Sequence, residues 1–507
     1  MFEAAEVGRT VSKDQFKKIE PEIHHLLLTL QRQLRDSDKT LIIIVAGVEG
    51  AGKGEVVDKL NRWFDTRDVQ THAYWEETDE ERQRPRFWRF WRNLPMRGTI
   101  GVMFGSWYTK PIVDSAFGKI SEAEFDQELQ RIAELERTLS DGGNIIVKLW
   151  FHLSKQVQRQ RLEKDAKVSK FKKSPMLDEF SKLYDRFATV SERALRLTDS
   201  GFAPWHIIEA SDTRYRNTAV GHAIIDSLEH HLIEANHKVD SQEQEEETPA
   251  ENLIDEALAA PSSHLTVLDT IDMTLTLSEE EYDKQVSQLQ QKLHELAWEM
   301  HKNGRNVVMV FEGWDAGGKG SAIRRVTAAI DARLYRVIPI AAPTDEEKGH
   351  HYLWRFWRHI PRAGYTTIYD RSWYGRVLVE RVEQFAQQEE WLRSYQEIND
   401  FEEQLVDHGV VLFKFWVHIS KEEQLRRFKE REKDVRKQHK ITDEDWRNRE
   451  KWDDYKDAVN DMVAHTSTTT TPWTLVSGND KKYARIQILK TICEKLENAL
   501  DKNEKAD

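Results

Sequence analysis

Cysteine is almost missing from this chain of 507 residues, since Cys493 is the only one. A single thiol excludes a disulfide framework within the chain and any zinc site that needs several cysteines. Apolar runs of about 18 residues, which a membrane-spanning helix requires, are also missing. The first residues lack the basic and then apolar pattern of a signal peptide. These absences predict a cytoplasmic protein with no membrane partner.

A basic net charge is lacking as well, because 75 Lys and Arg stand against 88 Asp and Glu, a formal net charge of −13. Proteins that bind nucleic acid without sequence preference use cations to neutralise phosphates. The charge balance therefore argues against nucleic acid as a partner. It does not exclude a local basic channel, since net charge averages over the whole surface.

What the sequence does contain is a glycine-rich loop at residues 311–320, FEGWDAGGKG. An apolar run precedes the loop and a helix-like run follows it, so the order is strand, loop and helix. Backbone N–H groups in such a loop and at the helix N-terminus bind phosphate. The glycines and the lysine fit the P-loop spacing G-x-x-x-x-G-K. We predict a phosphate-binding loop rather than a glycine turn without a ligand, with phosphate-binding residues Gly313, Gly318, Lys319, Gly320 and Ser321.

Acidic residues accompany this loop. Gly320 stands where a P-loop usually has Ser or Thr, and Asp315 lies inside the loop. A carboxylate among phosphates repels them unless a cation lies between, so we expect Asp315 to bind Mg²⁺. Asp370 ends a later apolar run, the usual place of a second metal-binding carboxylate, and the adjacent Arg371 can counter charge on a transferring phosphoryl group. The predicted catalytic residues are Asp315, Lys319, Asp370 and Arg371, with Asp315 and Asp370 as metal ligands.

The loop pattern occurs twice. Residues 46–54 read AGVEGAGKG, and Gly313 minus Gly47 gives an offset of 266. The same offset carries WRFWR at residues 88–92 onto residues 354–358, and near the end the offset becomes 268. A nearly gap-free match over most of each half indicates tandem duplication of a whole domain. We predict an N-terminal domain at 1–236, an acidic linker at 237–262 and a C-terminal domain at 263–507.

The two copies differ in the residues that matter for chemistry. By the offset of 266, the two aspartates and the arginine of the second copy correspond to Glu49, Phe104 and Gly105 in the first. A phenylalanine cannot coordinate Mg²⁺. The N-terminal copy is therefore predicted to be catalytically weak or inactive.

Strand-like and helical runs alternate in each copy, which predicts the α/β class with a parallel sheet covered by helices on both faces. A long, highly charged run follows residue 421 and is interpreted as a helical lid over the phosphates, with a solvated helical hairpin as the alternative. The strands of the second copy are expected near residues 307–311, 337–340, 365–369, 410–415 and 473–476.

The motifs G-x-D-x-x-G-K-G, W-R-F-W-R, D-R-S-W-Y-G-R and P-W-T-L-V-x-x-N-D-K-K-Y-A-R, in this order, resemble those of the type-two polyphosphate kinases. The resemblance spans both halves and is greatest to a branch with two fused copies. It implies two tandem P-loop kinase-like three-layer domains with a helical lid. It also implies transfer of the terminal phosphate of inorganic polyphosphate to AMP, giving ADP, with Mg²⁺ as cofactor, and it favours a homo-oligomer.

The resemblance also assigns roles to single residues. The two metal-linked aspartates of the family fall on Asp315 and Asp370, and its P-loop lysine falls on Lys319. The family motif breaks in the first copy, so no catalytic role is transferred there. Further family positions fall on Arg371 and Arg376, on the pair Glu380-Arg381, and on the phosphate-binding lid cations Arg427 and Arg431.

Three alternatives remain open from the sequence. The closest is a polyphosphate:ADP kinase that makes ATP, because these motifs do not separate the two acceptors. The second is an ATP-dependent small-molecule kinase. The third is a non-catalytic sensor of nucleotides or polyanions, against which the retained pair Asp315 and Asp370 argues.

Overall fold

The structure, a computed structural model, describes residues 1–168, 183–242, 265–435, 438 and 441–504. The chain divides into two compact units, each of which includes a short segment numbered within the other repeat. The first unit contains Met1–Glu77, Phe90–Ala259 and Asp345–His351, and the second contains Thr78–Arg89, Ala260–Thr344 and Tyr352–Asp507.

The predicted domain boundaries stay a prediction. Residues 243–262 of the expected linker lie outside the described residues. Within the described ranges, no helix combines the length and the apolar character that crossing a membrane requires.

Each repeat contains five parallel strands. The strands of the first repeat are β1 Thr40–Gly47, β2 Val69–Ala73, β3 Ile100–Phe104, β4 Asn144–His152 and β5 Trp205–Glu209. Those of the second repeat are β6 Val307–Gly313, β7 Tyr335–Pro339, β8 Thr366–Asp370, β9 Val411–His418 and β10 Trp473–Ser477. Each of the five strands predicted for the second copy is therefore confirmed, with ends that differ by a few residues.

Helices connect the strands in both repeats. The first repeat has α1 Lys13–Arg35, α2 Lys53–Trp63, α3 Asp79–Arg82, α4 Trp88–Trp91, α5 Thr109–Ala116, α6 Glu122–Asp141, α7 Lys155–Val168, α8 Tyr184–Thr198 and α9 Thr213–Gln242. The second repeat has α10 Glu279–Lys302, α11 Lys319–Thr327, α12 Asp345–Lys348, α13 Trp354–Trp357, α14 Val379–Val382, α15 Gln388–Asp407, α16 Lys421–Lys433, α17 Asp443–Glu450, α18 Trp452–Thr466 and α19 Lys481–Glu504.

The sheets have the same topology. Their strand orders are β2-β3-β1-β4-β5 and, read from the matching edge, β7-β8-β6-β9-β10. The register agrees too, because Val45 pairs with Phe104 in the first repeat and Phe311 pairs with Asp370 in the second. The central strands β1 and β6 are nearly all apolar and buried, as expected for strands covered on both faces. Ligands bind such sheets at the carboxyl ends of the strands, where both glycine loops lie.

A buried ion pair recurs in each repeat. In the second repeat, Lys414 Nζ on β9 donates to Glu402 Oε2 at 2.7 Å and to the Tyr374 hydroxyl at 3.0 Å. In the first repeat, Lys148 Nζ on β4 donates to Glu136 Oε2 at 2.7 Å. A buried charge is tolerated only when it is paired and hydrogen-bonded. The pair fastens the fourth strand of each sheet to the long helix that precedes it, and it recurs in both repeats although their loops differ.

Candidate active site

The glycine loop of the second repeat connects β6 to α11. Gly313 has a φ of +144°, and a Cβ there would lie 2.4 Å from the carbonyl oxygen of Val417. Only glycine therefore fits at the end of β6, where the chain turns next to β9. Gly318 also has a positive φ, and it immediately precedes the first turn of α11. The loop thus brings the helix N-terminus to the carboxyl edge of the sheet, the arrangement predicted for binding phosphate.

Lys319, the loop lysine, is the first residue of α11. Its Nζ donates to the carbonyl oxygens of Gly313 and Trp314, the second of them at 3.4 Å. The ammonium group thus folds back over the start of the loop. Among the described residues no carboxylate forms a hydrogen bond or ion pair with it, so its charge remains available to a phosphate bound at the loop.

Asp315 lies inside the loop, where each of its oxygens accepts a hydrogen bond. Arg371 Nη2 donates to Oδ1 at 3.1 Å, and Asn448 Nδ2 donates to Oδ2 at 2.9 Å. Burial raises the pKa of Asp315, but the charges of Lys319 and Arg371 outweigh burial and hold that pKa below its usual value. Asp315 is therefore a carboxylate near neutral pH.

Asp370 reaches the same place from the neighbouring strand. It is the last residue of β8, which pairs with β6, so its carboxylate emerges beside the loop. Arg371 follows with a φ of +64°, a left-handed backbone that is uncommon for a residue other than glycine. The strand pair and this turn together direct Asp370 and Arg371 towards the loop.

One cavity of about 680 Å³ brings most of the predicted residues together. Its acidic lining residues are Asp315, Asp370, Glu430, Glu444 and Asp445, and its cationic ones are Lys319, Arg324, Arg371, Arg427, Arg431, Lys481 and Arg485. Gly318, Gly320 and Ser321 line it too. Gly313 borders a smaller neighbouring cavity.

Two arginines predicted to bind phosphate, Arg376 and Arg427, contact other groups of the protein instead. Arg376 is not part of the lining of the large cavity, and its Nη1 pairs with Glu380 at 3.0 Å. The neighbouring Arg381 pairs with Asp461 at 2.8 Å rather than with Glu380. The phosphate-binding role of Arg376 stays a prediction that this geometry does not favour.

Arg427 lines the cavity, but its donors are fully used by the protein. Nε donates to Glu423 at 2.5 Å. The other bonds go to backbone carbonyl oxygens of Ala316, Gly317, Gly478 and Asn479, at 2.9, 2.7, 2.6 and 2.9 Å. A guanidinium has five N–H donors, and here all five are engaged. Arg427 therefore holds the glycine loop against the turn after β10, which differs from the phosphate contact expected from sequence.

Helices of the predicted lid cover the loop. Residues of α16 and α17 line the cavity, and Asn448 of α17 bonds Asp315 directly. The Trp314 ring stacks on Trp452, the first residue of α18, with centroids 3.7 Å apart and planes 8° from parallel. The Trp314 Nε1 donates to His418 Nδ1 at 3.1 Å. The run after residue 421 is thus attached to the loop by specific contacts, which favours the lid interpretation over a solvated hairpin.

Sequence reasoning missed Asn448 and Glu312. Glu312 ends the apolar run before the loop, is 5 % exposed and accepts from Ser372 Oγ at 2.8 Å. Burial raises the pKa of Glu312, although the nearby Lys319 opposes this. Comparison of the copies would have revealed Glu312, because Ala46 occupies the matching position. No such signal marks Asn448, whose role depends on how the lid folds.

In the first repeat, the loop lysine has an acidic partner. Lys53 Nζ donates to Glu49 Oε1 at 2.8 Å and to the Gly47 carbonyl oxygen at 2.8 Å. Glu49 stands where the second repeat has the loop aspartate. The cation of this loop is therefore neutralised within the loop.

A second ion pair closes the same loop. Arg216, only 1 % exposed, donates from Nη1 to the Ala51 carbonyl oxygen at 3.1 Å and from Nη2 to Glu55 Oε2 at 2.8 Å. A Cβ at Gly52 would lie 1.8 Å from Arg216 Nη1, so the guanidinium lies directly on the loop. By the offsets of 268 and 266, the second repeat has Ala484 and Ser321 at these two positions. Both partners of the ion pair are therefore specific to the first repeat.

A P-loop at the switch point of a parallel sheet, faced by carboxylates and lid cations, places the second repeat among the P-loop phosphotransferases. The family model described as Polyphosphate kinase 2 (PPK2) matches residues 10–236 and 276–505. The chain therefore belongs to the polyphosphate kinase 2 family, with one copy of the family domain in each half.

Proteins similar to this chain cover nearly its full length. A protein of Pseudomonas aeruginosa named polyphosphate:AMP phosphotransferase is 46 % identical, over 99 % of this chain and 100 % of that protein. One of the same name from Pseudomonas syringae pv. tomato is 45 % identical, over 100 % of each. A crystal structure described as a polyphosphate kinase 2 from Pseudomonas aeruginosa matches with a TM-score of 0.86 and 43 % identity, over 99 % of this chain and 100 % of that one.

Proposed function

We propose that this chain transfers the terminal phosphate of inorganic polyphosphate to AMP, giving ADP, and that the second repeat performs the reaction. The cavity beside the glycine loop carries the proposal. Seven cationic and five acidic side chains line it, so bound phosphates meet an excess of positive charge. The name shared by the two full-length relatives supports AMP as the acceptor.

The distribution of these cations fits a polymer of phosphate as donor. A nucleotide donor needs a pocket for its base, whereas polyphosphate needs a track of positive charge. Lys319 and Arg324 belong to α11, Arg431 to α16, and Lys481 and Arg485 to α19. Cations from three helices thus line one cavity, which suits a chain of phosphates that extends away from the loop.

The reaction forms one bond and breaks one. A phosphate oxygen of AMP attacks the terminal phosphorus of polyphosphate, and the bond from that phosphorus to the bridging oxygen breaks. The products are ADP and a polyphosphate one unit shorter. No general base is required, because the second pKa of a phosphate monoester is about 6. Lys319 orients the terminal phosphates of the donor and Arg371 neutralises charge that develops on the transferring group, so catalysis depends on positioning and electrostatics.

The carboxylates fit Mg²⁺ as the cofactor. Mg²⁺ is usually bound by one or two carboxylates together with substrate phosphates and water. Asp315 and Asp370 supply two such groups to one cavity, and among the described residues no three His, Cys, Asp or Glu side chains form a complete metal site. When bound, the ion would neutralise charge between donor and acceptor oxygens. Asn448 and Arg371 orient the Asp315 carboxylate for this task.

The experiment is chromatography of the products formed from AMP, polyphosphate and MgCl₂, with parallel reactions that contain ADP, or ATP with AMP, instead. ADP formed from AMP and polyphosphate is the expected main product. Preferential formation of ATP from ADP would indicate the polyphosphate:ADP kinase alternative. Turnover only with ATP would indicate a nucleotide-dependent kinase.

The variant Asp370→Asn tests whether the chain is a catalyst or only a polyanion sensor. It should retain its fold by circular dichroism and lose roughly 10²–10³ of its rate, as expected when a preorganised electrostatic group is removed. Phe104→Leu, at the matching position of the first repeat, is the control and should keep its rate. Full activity of Asp370→Asn would remove Asp370 from the mechanism.

We also propose, from the family resemblance, that the chain forms a homo-oligomer and works in the cytoplasm. Light scattering coupled to size-exclusion chromatography measures the first directly. A mass equal to a single chain of 59.6 kDa would contradict it.

A further inference from the structure

A buried carboxylate, Glu312, lies beside the turn that carries Arg371 but outside the lining of the large cavity. Glu312 is the last residue before the loop glycine, and it borders the smaller neighbouring cavity together with Lys319 and Arg371. Its Oε1 accepts from Ser372 Oγ at 2.8 Å, and Ser372 is itself only 2 % exposed. The acceptor of the proposed reaction is a phosphate oxygen, which needs no base. The proposed reaction therefore assigns Glu312 no role as a base.

Ser372 makes a second contact that links it to the backbone of the turn. Its Oγ accepts from the Tyr374 N–H at 3.3 Å and so begins the short 3₁₀-helix Trp373–Val377. Arg371, immediately before it, holds a φ of +64° while its backbone N–H donates to the Phe311 carbonyl oxygen at 3.1 Å. The serine hydroxyl bridges the end of β6 to the turn that carries Arg371.

The first repeat supplies an internal comparison. Ser106 corresponds to Ser372 and makes the same bond, accepting from the Tyr108 N–H at 3.3 Å. Gly105 corresponds to Arg371 and has the same left-handed backbone, with a φ of +77°. The residue that matches Glu312 is Ala46. Where the turn is glycine, which adopts this φ without strain, the acid is missing; where the turn is arginine, the acid is present.

Electrostatics supports the same link. Burial raises the pKa of the Glu312 carboxyl group, and the charges of Lys319 and Arg371, which line the same smaller cavity, oppose this rise. Two like charges directed at one substrate repel each other, so an acid beneath them lowers the cost of placing both. Ser372 holds that acid in a fixed position.

We propose that Glu312 is a positioning residue, which acts through Ser372 to hold Arg371 in its strained turn and in line with the transferring phosphate. The inference rests on the proposed phosphotransfer. Its effect is on the transition state, because Arg371 is assigned to charge that develops there. Loss of an interaction made only in the transition state lowers kcat and leaves KM nearly unchanged.

The test measures kcat and KM for ADP formation in Glu312→Gln and Ser372→Ala. Glutamine keeps the shape and can still accept from Ser372 but has no charge, whereas alanine removes the bond and leaves the charge. Each variant should lower kcat about 10- to 100-fold, with KM for AMP and polyphosphate within about twofold. Ser106→Ala is the matched control in the first repeat and should leave kcat unchanged.

A double-variant cycle separates positioning from a general structural role. In an Arg371→Ala background, Glu312→Gln should change kcat less than about threefold, because the group it positions is gone. Equal effects with and without Arg371 would overturn the proposal, as would wild-type kcat in both single variants. A Mg²⁺ requirement raised by Glu312→Gln would instead identify a metal ligand and also overturn it. If Glu312→Gln does not fold, Ser372→Ala carries the same cycle. Wild-type protein that makes no ADP from polyphosphate would refute the proposed function, a result distinct from any of these.

Discussion

At the scale of single residues, the two glycine loops differ in what neutralises their cations. In the second repeat, Lys319 bonds backbone carbonyl oxygens and its neighbouring acid Asp315 bonds Arg371. In the first repeat, Lys53 bonds Glu49. The first loop therefore offers a phosphate less uncompensated charge than the second, although both keep the two glycines and the lysine of the G-x-x-x-x-G-K spacing.

We predict that Lys319→Ala and Lys53→Ala have unequal effects on turnover. Lys319→Ala should lower the rate of ADP formation at least 10²-fold, since it removes a charge directed at the transferring group. Lys53→Ala, its counterpart, should stay within about threefold of wild type because its charge is already paired. Initial rates of the two purified full-length variants provide the measurement. Equal losses would show that both loops participate.

The hydrogen bond between Trp314 of the loop and His418 makes the stability of the protein depend on pH. Burial lowers the pKa of His418 to about 4, and its Nδ1 must stay unprotonated to accept from Trp314. In the unfolded chain, a histidine has a pKa of about 6.5. The unfolded state therefore binds more protons between these two values, so stability falls as the pH falls from about 6.5 to about 4 and is unaffected above that window.

The corresponding variant is His418→Gln, which keeps a neutral acceptor. Between pH 7.5 and pH 5.0, wild type should lose up to about 2 kcal/mol more than the variant. Urea-unfolding midpoints at the two pH values measure the difference. Parallel pH profiles for the two proteins would show that His418 is not responsible.

At the scale of elements, each glycine loop depends on an arginine from the helix that follows the fourth strand of its sheet. Arg427 of α16 and the matching Arg161 of α7 both donate to carbonyl oxygens of their glycine loops. Arg161 Nη1 bonds Gly50 at 3.1 Å and its Nη2 bonds Ala210 at 2.7 Å. The sheet places the loop, and an arginine from outside the sheet fastens it to the turn after the last strand.

We expect lysine in place of Arg427 and of Arg161 to have different effects on kcat, although both substitutions should lower the melting temperature. Arg427→Lys leaves at least two of five bonds unmade, since an ammonium has three donors, and should lower both the melting temperature and kcat. Arg161→Lys should lower the melting temperature of its repeat and leave kcat unchanged. Calorimetry and rate measurements on the same samples test the pair. Unchanged kcat in Arg427→Lys would contradict the fastening role.

The buried ion pair between Lys148 and Glu136 in the first repeat leads to a prediction about the free energy of unfolding. Lys148→Met leaves Glu136 buried and unpaired, which should cost about 3–5 kcal/mol. The double variant Lys148→Met/Glu136→Gln removes both charges while the glutamine oxygen still accepts from Trp107 and Tyr108, so it should recover most of that loss. Urea unfolding followed by tryptophan fluorescence distinguishes the two. A double variant as unstable as the single one would assign the loss to packing instead.

At the scale of the whole molecule, duplication made much of the structure predictable. The offset of 266 and the alternating runs anticipated the two parallel sheets, and the P-loop motif with Asp370 anticipated residues that line one cavity. Glu312 was missed because it continues an apolar strand and its partner is 60 residues away, although the difference from Ala46 in the first copy marks its position. The five bonds of Arg427 were hidden as well, since they depend on where a lid helix lies rather than on local pattern.

The ion pair of Arg216 with Glu55 has a consequence for stoichiometry. The Arg216 guanidinium already occupies the glycine loop of the first repeat, so that loop has no room for a second polyphosphate chain. Each protein chain should therefore bind one polyphosphate chain, although it contains two copies of the domain. Isothermal calorimetry with short polyphosphate should give about one equivalent per wild-type chain, and the double variant Arg216→Ala/Glu55→Ser, which removes the guanidinium from the loop, should raise this number towards two. Two equivalents bound by the wild type would show that the glycine loops of both copies bind polyphosphate.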